Sequence, residues 1–177
     1  MQFLTLSEKE IKTESIYRAI RVPHIVISIS GENDTETLVP TNQYRQGLLH
    51  LKFDDVCDID ERYLYFTRAQ AAEILEFINK HITSISLIIV QCHAGLSRSV
   101  GTAAALAKII NCADDDVFRK GIPNMFVYTT ILDTFFGNPH WQQEYNKIHM
   151  LRLKSMGQYL SPALIRLSAT KENKRNQ

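Results

Sequence analysis

Apolar residues along this chain follow two rhythms, and the alternation between them sets the expected fold. His24–Ser30 (HIVISIS), Leu48–Phe53 (LLHLKF) and Leu87–Gln91 (LIIVQ) are short, largely apolar runs that read as strands. The first and last are apolar enough to be buried on both faces. Phe3–Leu6 reads as a further short strand. Elsewhere the spacing lengthens. Ala71, Ile74, Leu75, Ile78 and Ile82 fall three and four apart, predicting a helix from Arg68 to about His81 with Thr67 as N-cap. A second helix is predicted from about Arg98 to Asn111, alanine-rich and apolar nearly all round, as suits a buried element. Ser7 with Glu10 has capping-box form and opens a helix expected to run to about Arg18.

The remaining segments are shorter or more polar. Gly31-Glu32-Asn33-Asp34 marks a turn into a polar loop reaching about Gln46, and Asp54–Asp60 forms an acidic loop. Asp114–Asp116 begins a short acidic helix or loop. Pro123 is read as opening a helix with Tyr128, Ile131, Leu132 and Phe135 on one face. A last helix is predicted after Gly137-Asn138-Pro139, through about Met156. Strands alternating with helices predict an α/β fold, a mainly parallel central sheet flanked by helices. A chain of 177 residues is one domain long. That domain is expected over residues 1–160, with 161–177 a partly disordered tail, because Lys171–Gln177 has nothing apolar to bury.

Charge and cysteine usage narrow the function classes. Twenty Lys and Arg stand against nineteen Asp and Glu, so no overall field draws the protein to nucleic acid or an anionic membrane. Any anion site has to be built locally. No apolar stretch approaches the ~20 residues needed to span a bilayer. The N-terminus, MQFLTLSEKEIK, lacks the basic and apolar regions of a secretory signal. Cys57, Cys92 and Cys112 are too widely and irregularly spaced for a disulfide framework or a zinc site. The expected location is the reducing cytoplasm, where a reactive thiol stays usable. The six histidines show no metal-ligand spacing, so neither metal nor cofactor is expected. Oligomeric state is left open.

Chemistry concentrates between the LIIVQ strand and the alanine-rich helix, in Cys92-His93-Ala94-Gly95-Leu96-Ser97-Arg98-Ser99. A loop closing a strand onto a helix N-terminus aims successive N–H groups at one point, and the helix dipole adds positive charge there. Gly95 permits the torsions such a cradle needs. Arg98, six positions after Cys92, reaches the mouth of the cradle with a planar fork suited to two phosphate oxygens. A cysteine at the base of such a site favours the nucleophilic thiolate. Thiolate, cradle and guanidinium together suit in-line attack on a phosphoryl group. Cys92 as a small buried hydrophobe with Arg98 as a surface cation is the plainer alternative. Gly, Arg and Ser or Thr coincide at these offsets from a given cysteine on the order of once in a few thousand.

The segment VQCHAGLSRSVGTAAALAKII resembles the signature of the cysteine-dependent protein tyrosine phosphatases, specifically their compact dual-specificity branch. The likeness runs from about His24 to Phe136 and implies a strand–phosphate loop–helix active site. It implies Cys92 as nucleophile, Arg98 as phosphate clamp and the amides of His93, Ala94, Gly95, Leu96, Ser97 and Arg98 as the phosphate loop. Ser99 is then expected to hydrogen-bond the Cys92 sulfur and help it leave when the phosphocysteine intermediate hydrolyses. One position departs from the pattern: Gln91 precedes the nucleophile where the family commonly has His. Gln91 can still hydrogen-bond neighbouring groups but carries no charge.

The resemblance also implies a general acid on the loop after an upstream strand. Asp54, Asp55, Asp58 and Asp60 are candidates, and aligning LHLKFDD with the family's strand-then-acid segment favours Asp55, with Asp58 next. Clustered carboxylates repel one another, which favours the protonated form of one, as an acid requires. Solvated loop carboxylates are the plainer reading for the rest. Asn124, after Pro123, either braces the site or merely caps a helix. Cys57 is either inert or a disulfide partner for Cys92 under oxidation. Cys112 reads as structural, and the His93 side chain is expected to face away from the phosphate. The implied substrate is a phosphotyrosine protein or peptide, with phosphoserine and phosphothreonine also possible. The absence of lysine within HAGLS argues against a phosphoinositide. The alternatives are a weak or inactive pseudo-phosphatase that binds phosphoproteins, and an arsenate reductase or sulfurtransferase. A loop in mid-chain with its acid upstream disfavours the last two.

Overall fold

The computed structural model describes residues 1–111 and 113–137. Cys112, the helix expected to end near Met156 and the tail lie outside them. The chain order is β1 (Gln2–Ser7), α1 (Glu8–Lys12), α2 (Glu14–Tyr17), β2 (His24–Ser30), β3 (Arg45–Lys52), α3 (Arg68–His81), β4 (Leu87–Cys92), α4 (Arg98–Asn111), α5 (Asp115–Phe118) and α6 (Met125–Phe136). The four strands form one parallel sheet in the order β1-β4-β2-β3. The expected fold class is found, with every strand pair parallel.

Alternation along the central strands divides the core into two layers. Leu87, Ile89 and Gln91 of β4 lie level with His24, Val26 and Ser28 of β2, on one face. There Leu87, Ile89 and Val26 pack with Ile11 and Tyr17 from α1 and α2 and with Leu6 and Val39. Ile88 and Val90 lie level with Ile25 and Ile27 toward the other face, and all four are buried, as are Cys92 and Ile29 farther along the two strands. Helix α6 packs on both α3 and α4 there, with α3 also on β3 and α4 on β1 and β4. Helices on both faces explain why β2 and β4 are buried at every position.

Several boundaries differ from those predicted. The N-terminal helix opens on the expected Ser7–Glu10 capping box but stops at Thr13, whose hydroxyl bonds back to the Lys9 carbonyl at 2.7 Å. The chain resumes as the separate α2. Strand β3 starts at Arg45, three residues earlier than predicted, and Gly47 lets it pass close to Phe77 and His81. A Cβ at Gly47 would stand 2.8 Å from the His81 ring and 3.0 Å from Phe77. Pro123 lies before the last described helix rather than inside it, and Asn124 is the cap. On α6, Tyr128, Ile131 and Leu132 are buried as expected, but Phe135 is exposed.

Beneath the sheet, His24 is fully buried against Tyr17. Its Nδ1 lies 2.9 Å from the Val22 carbonyl, which only accepts, so Nδ1 carries the proton and Nε2 accepts from the Tyr17 hydroxyl at 3.1 Å. Burial pushes this imidazole below its ordinary 6.5, opposed by the Val22 hydrogen bond and reinforced by the Arg45 charge. The unfolded chain therefore binds this proton more readily. The stability His24 contributes is complete above about pH 6.5 and is lost as pH falls toward the folded value. Melting temperature measured from pH 7 to 5.5 should fall more steeply for the parent than for His24→Gln; equal slopes would remove His24 from the pH response.

Candidate active site

The site lies at the carboxyl ends of β3 and β4, where open α/β sheets place ligands. Strand β4 delivers Cys92 beside the end of β1, with Ser7 as its partner in register. Five residues then turn the chain into α4. The turn depends on Gly95, whose φ is +74° and whose missing side chain admits the end of β1. A Cβ there would stand 2.6 Å from the Ser7 nitrogen and 2.8 Å from the Leu6 carbonyl carbon. Glu8 holds the outer side of the loop. Its N–H donates to the His93 carbonyl at 3.1 Å, and its carboxylate meets the His93 ring at 3.2 Å. The His93 side chain is thus exposed and turned to Glu8. Lys12 is the main cause that holds the Glu8 carboxyl below its usual range, and His93 adds to it.

No acceptor among the described residues takes the N–H groups of Ala94, Gly95, Leu96 or Ser97. Unpaired amides ahead of a helix N-terminus are what an anion-binding nest requires. Cys92 and Ser99 are both buried, with Sγ and Oγ 3.2 Å apart. A protonated thiol donates in this pair; toward a thiolate the hydroxyl must donate. Arg98 is buried to 7% exposure. Its Nη1 donates to the Phe53 carbonyl at 2.8 Å, while its Nε has no partner among the described residues. Leaving a charged donor buried and unpaired costs a few kcal/mol, so this arrangement suits an incoming anion.

The acidic loop meets this nest through one residue. Asp55 Oδ1 accepts from the Ser97 hydroxyl and from Asn124 Nδ2, both at 2.8 Å. Asn124 also donates to the Val56 carbonyl at 2.9 Å. Its Oδ1 caps α6 by accepting from Val127 N at 3.0 Å. Asn124 therefore caps the helix, but not merely: the same side chain also braces the acidic loop. Ser97 shares its own atoms in the same way. Its carbonyl accepts the first hydrogen bond of α4 from Gly101 N, leaving its hydroxyl for Asp55.

The other carboxylates are occupied elsewhere. Asp54 accepts from the amides of Glu32 and Leu64, each at 3.0 Å, and its own N–H donates to the Leu64 carbonyl, closing the base of the loop. Asp58 is exposed and accepts from the adjacent Ile59 N–H. Asp60 is gripped by Arg62, whose hydrogen bonds hold its carboxyl below the usual range. Among the described residues, Asp55 is the one candidate of the four hydrogen-bonded to the 92–98 loop.

Gln91, the position that departs from the family pattern, is fully buried. Its Oε1 accepts from the Ser28 hydroxyl at 2.7 Å and its Nε2 donates to Thr37 Oγ1 at 3.4 Å. The amide thus spans β4, β2 and the following loop without charge. Cys57 is exposed and Cys92 buried, and both are free thiols. Among the described residues no cluster of His, Cys, Asp and Glu could hold a metal ion, and no helix is long and apolar enough to cross a membrane.

Four parallel strands flanked by helices, with the strand–loop–helix turn at Cys92, have the fold of the cysteine-dependent protein tyrosine and dual-specificity phosphatases. Two solved human proteins illustrate the likeness. The tyrosine phosphatase-like serine/threonine/tyrosine-interacting protein superposes with a TM-score of 0.54 at 17% identity, over 84% of this chain and 93% of that one. DUSP28 superposes with a TM-score of 0.54 at 12% identity, over 80% of this chain and 94% of that one. By sequence, no family profile and no curated protein matches. At these identities the likeness is one of fold.

An alanine at position 95 would meet both the positive φ and the β1 backbone. Gly95→Ala should lose about 1–3 kcal/mol of stability in urea denaturation. Inorganic phosphate should raise the melting temperature of the parent and leave that of Gly95→Ala unmoved. An equal phosphate-induced rise in both would show that the 92–98 loop is not the anion site.

Proposed function

We propose that this protein is a phosphatase acting on phosphotyrosine in proteins or peptides, and on phosphoserine and phosphothreonine where the cradle admits them, through a phosphocysteine intermediate. The observation that carries this reading is the Ser97–Asp55 hydrogen bond. It hangs a carboxyl from the rim of an amide nest whose base holds a buried cysteine. Nucleophile and anion holder thus share one loop, and the proton source is hydrogen-bonded to it from another.

In this mechanism the Cys92 thiolate attacks phosphorus in line with the leaving oxygen. Amides from His93 to Arg98 hold the equatorial oxygens, and Arg98 adds its guanidinium. Because Nη1 is already anchored on the Phe53 carbonyl, the buried Nε is free for phosphate. The P–O bond breaks as the S–P bond forms, and the departing oxygen takes a proton from Asp55. Oδ1 already accepts two hydrogen bonds, so Oδ2 carries that proton. The ionised Asp55 then takes a proton from water, which attacks phosphorus. As the sulfur departs, the Ser99 hydroxyl donates to it. Gln91 contributes no charge here; its hydrogen bonds support keeping the end of β4 fixed.

A second reading follows from the neighbour named as a phosphatase-like interacting protein: phosphoprotein binding without turnover. Phosphate release from a phosphotyrosine peptide, measured with reductant and without added metal, separates the two. We expect turnover by the parent and none by Cys92→Ser. Asp55→Ala should be slower by about 10²–10⁴-fold. Its loss should be largest for esters with basic leaving groups, which most need the proton, and smallest for nitrophenyl phosphate. Parent turnover unchanged in Cys92→Ser would overturn the mechanism. Peptide binding with no release by the parent would favour the second reading.

A further inference from the structure

Beside the amide nest the chain exposes a short apolar surface that the phosphate chemistry does not use. The segment Gly121–Asn124 is zippered onto the loop: Ile122 N donates to the Leu96 carbonyl at 2.9 Å, and Asn124 N donates to the Ser97 carbonyl at 3.2 Å. The approach is close because residue 121 is glycine; a Cβ there would stand 2.4 Å from the Leu96 oxygen. This pairing sets Ile122 beside Leu96, and Met125 follows directly on the asparagine that holds Asp55. All three side chains are open to solvent, Leu96 at 53%, Ile122 at 84% and Met125 at 48% exposure.

Single exposed apolar residues are ordinary, but a group of them at a ligand site marks a contact surface. Leu96 belongs to the loop itself, so a group bound in the nest brings whatever is attached to it against this surface. From Gly121 to Thr130 the chain carries no charged side chain, so this segment offers a bound peptide apolar and uncharged polar contacts. The Asn124 clamp fixes the platform relative to Asp55.

We propose that Ile122 and Met125, continuous with Leu96, form a specificity platform for phosphopeptides with a large apolar side chain next to the phosphorylated residue. This rests on the phosphatase reading of the site and names its preferred substrate class. The occupant is the substrate polypeptide, because the platform shares backbone hydrogen bonds with the loop that takes the phosphate.

The test uses two phosphotyrosine peptides alike except that leucines flank the phosphotyrosine in one and serines in the other. For the parent, kcat/KM should favour the leucine peptide about tenfold, equivalent to about 1.4 kcal/mol. In Ile122→Ser/Met125→Ser the preference should shrink to within about twofold. Anisotropy binding of both peptides to Cys92→Ser, with and without the two serine substitutions, reads the same preference independently of turnover. If the parent releases no phosphate while that binding preference is present and lost with the substitutions, the phosphatase reading fails and the platform stands. No preference in the parent by either measurement, or an undiminished one in the double variant, overturns the platform. So does an absence of peptide preference accompanied by sedimentation with phosphatidylcholine vesicles that the two substitutions abolish, which would assign the surface to lipid.

Discussion

Between Gly95 and the end of β1 there is no room for a side chain. The Ser7 nitrogen and the Leu6 carbonyl lie where a Cβ at position 95 would need to go, and the geometry of the site follows from that approach. With β1 pressed against it, the loop after β4 turns within five residues, and the amides of Ala94 to Ser97 take no acceptor among the described residues. The same corner supplies Glu8, whose amide holds the His93 carbonyl and whose carboxylate draws the His93 ring outward. The interior of the nest is thus left to backbone donors, to the cysteine beneath them and to one guanidinium.

A second set of contacts builds the rim, and it relies on side chains that each serve two elements. Asn124 caps α6 with its oxygen and holds Asp55 and Val56 with its nitrogen. Ser97 starts α4 with its carbonyl and positions Asp55 with its hydroxyl. Arg98 begins a helix and ties down the Phe53 carbonyl at the root of the acidic loop. Because these groups are shared, α6, α4 and the acidic loop cannot shift independently. A carboxylate on an exposed loop gains a defined place without being buried.

Features set by local order were legible in the sequence; features set by distant partners were not. The runs at His24 and Leu87, the Thr67 cap and the spacing from Cys92 to Arg98 to Ser99 each depend on residues close in the chain, and the structure has each of them. The choice among four aspartates needed more. Aligning strand ends favoured Asp55, but the contacts that join it to the nest come from Ser97 and Asn124, 42 and 69 residues away. Asp54, in an equally acidic context, is taken up by backbone amides on two other segments. The position of Gln91 marked a departure from the family pattern, yet its partners Ser28 and Thr37 come from another strand and a loop. The break at Thr13 was missed because periodicity alone does not show a hydroxyl turning back onto its own helix. The exposure of Phe135 was missed because an apolar face says nothing about where the covering layer ends.

The order of the strands has a consequence for how the protein is made. Of the four strands β1 is made before the other three, yet among the described residues it pairs with β4, with Gln2 meeting Leu87. At 5–20 residues per second, a growing chain carries β1 without its partner for roughly 4–17 s. Sheets closed by pairings so distant in sequence form late and comparatively slowly. The corner at Leu6–Ser7 that shapes the nest therefore exists, as a chain segment, long before there is a loop to shape. No partly synthesised chain lacking β4 has the 92–98 loop, and the Ser97 and Asn124 side chains that hold Asp55 come later still, so the parts of this corner meet only after most of the described residues have been made.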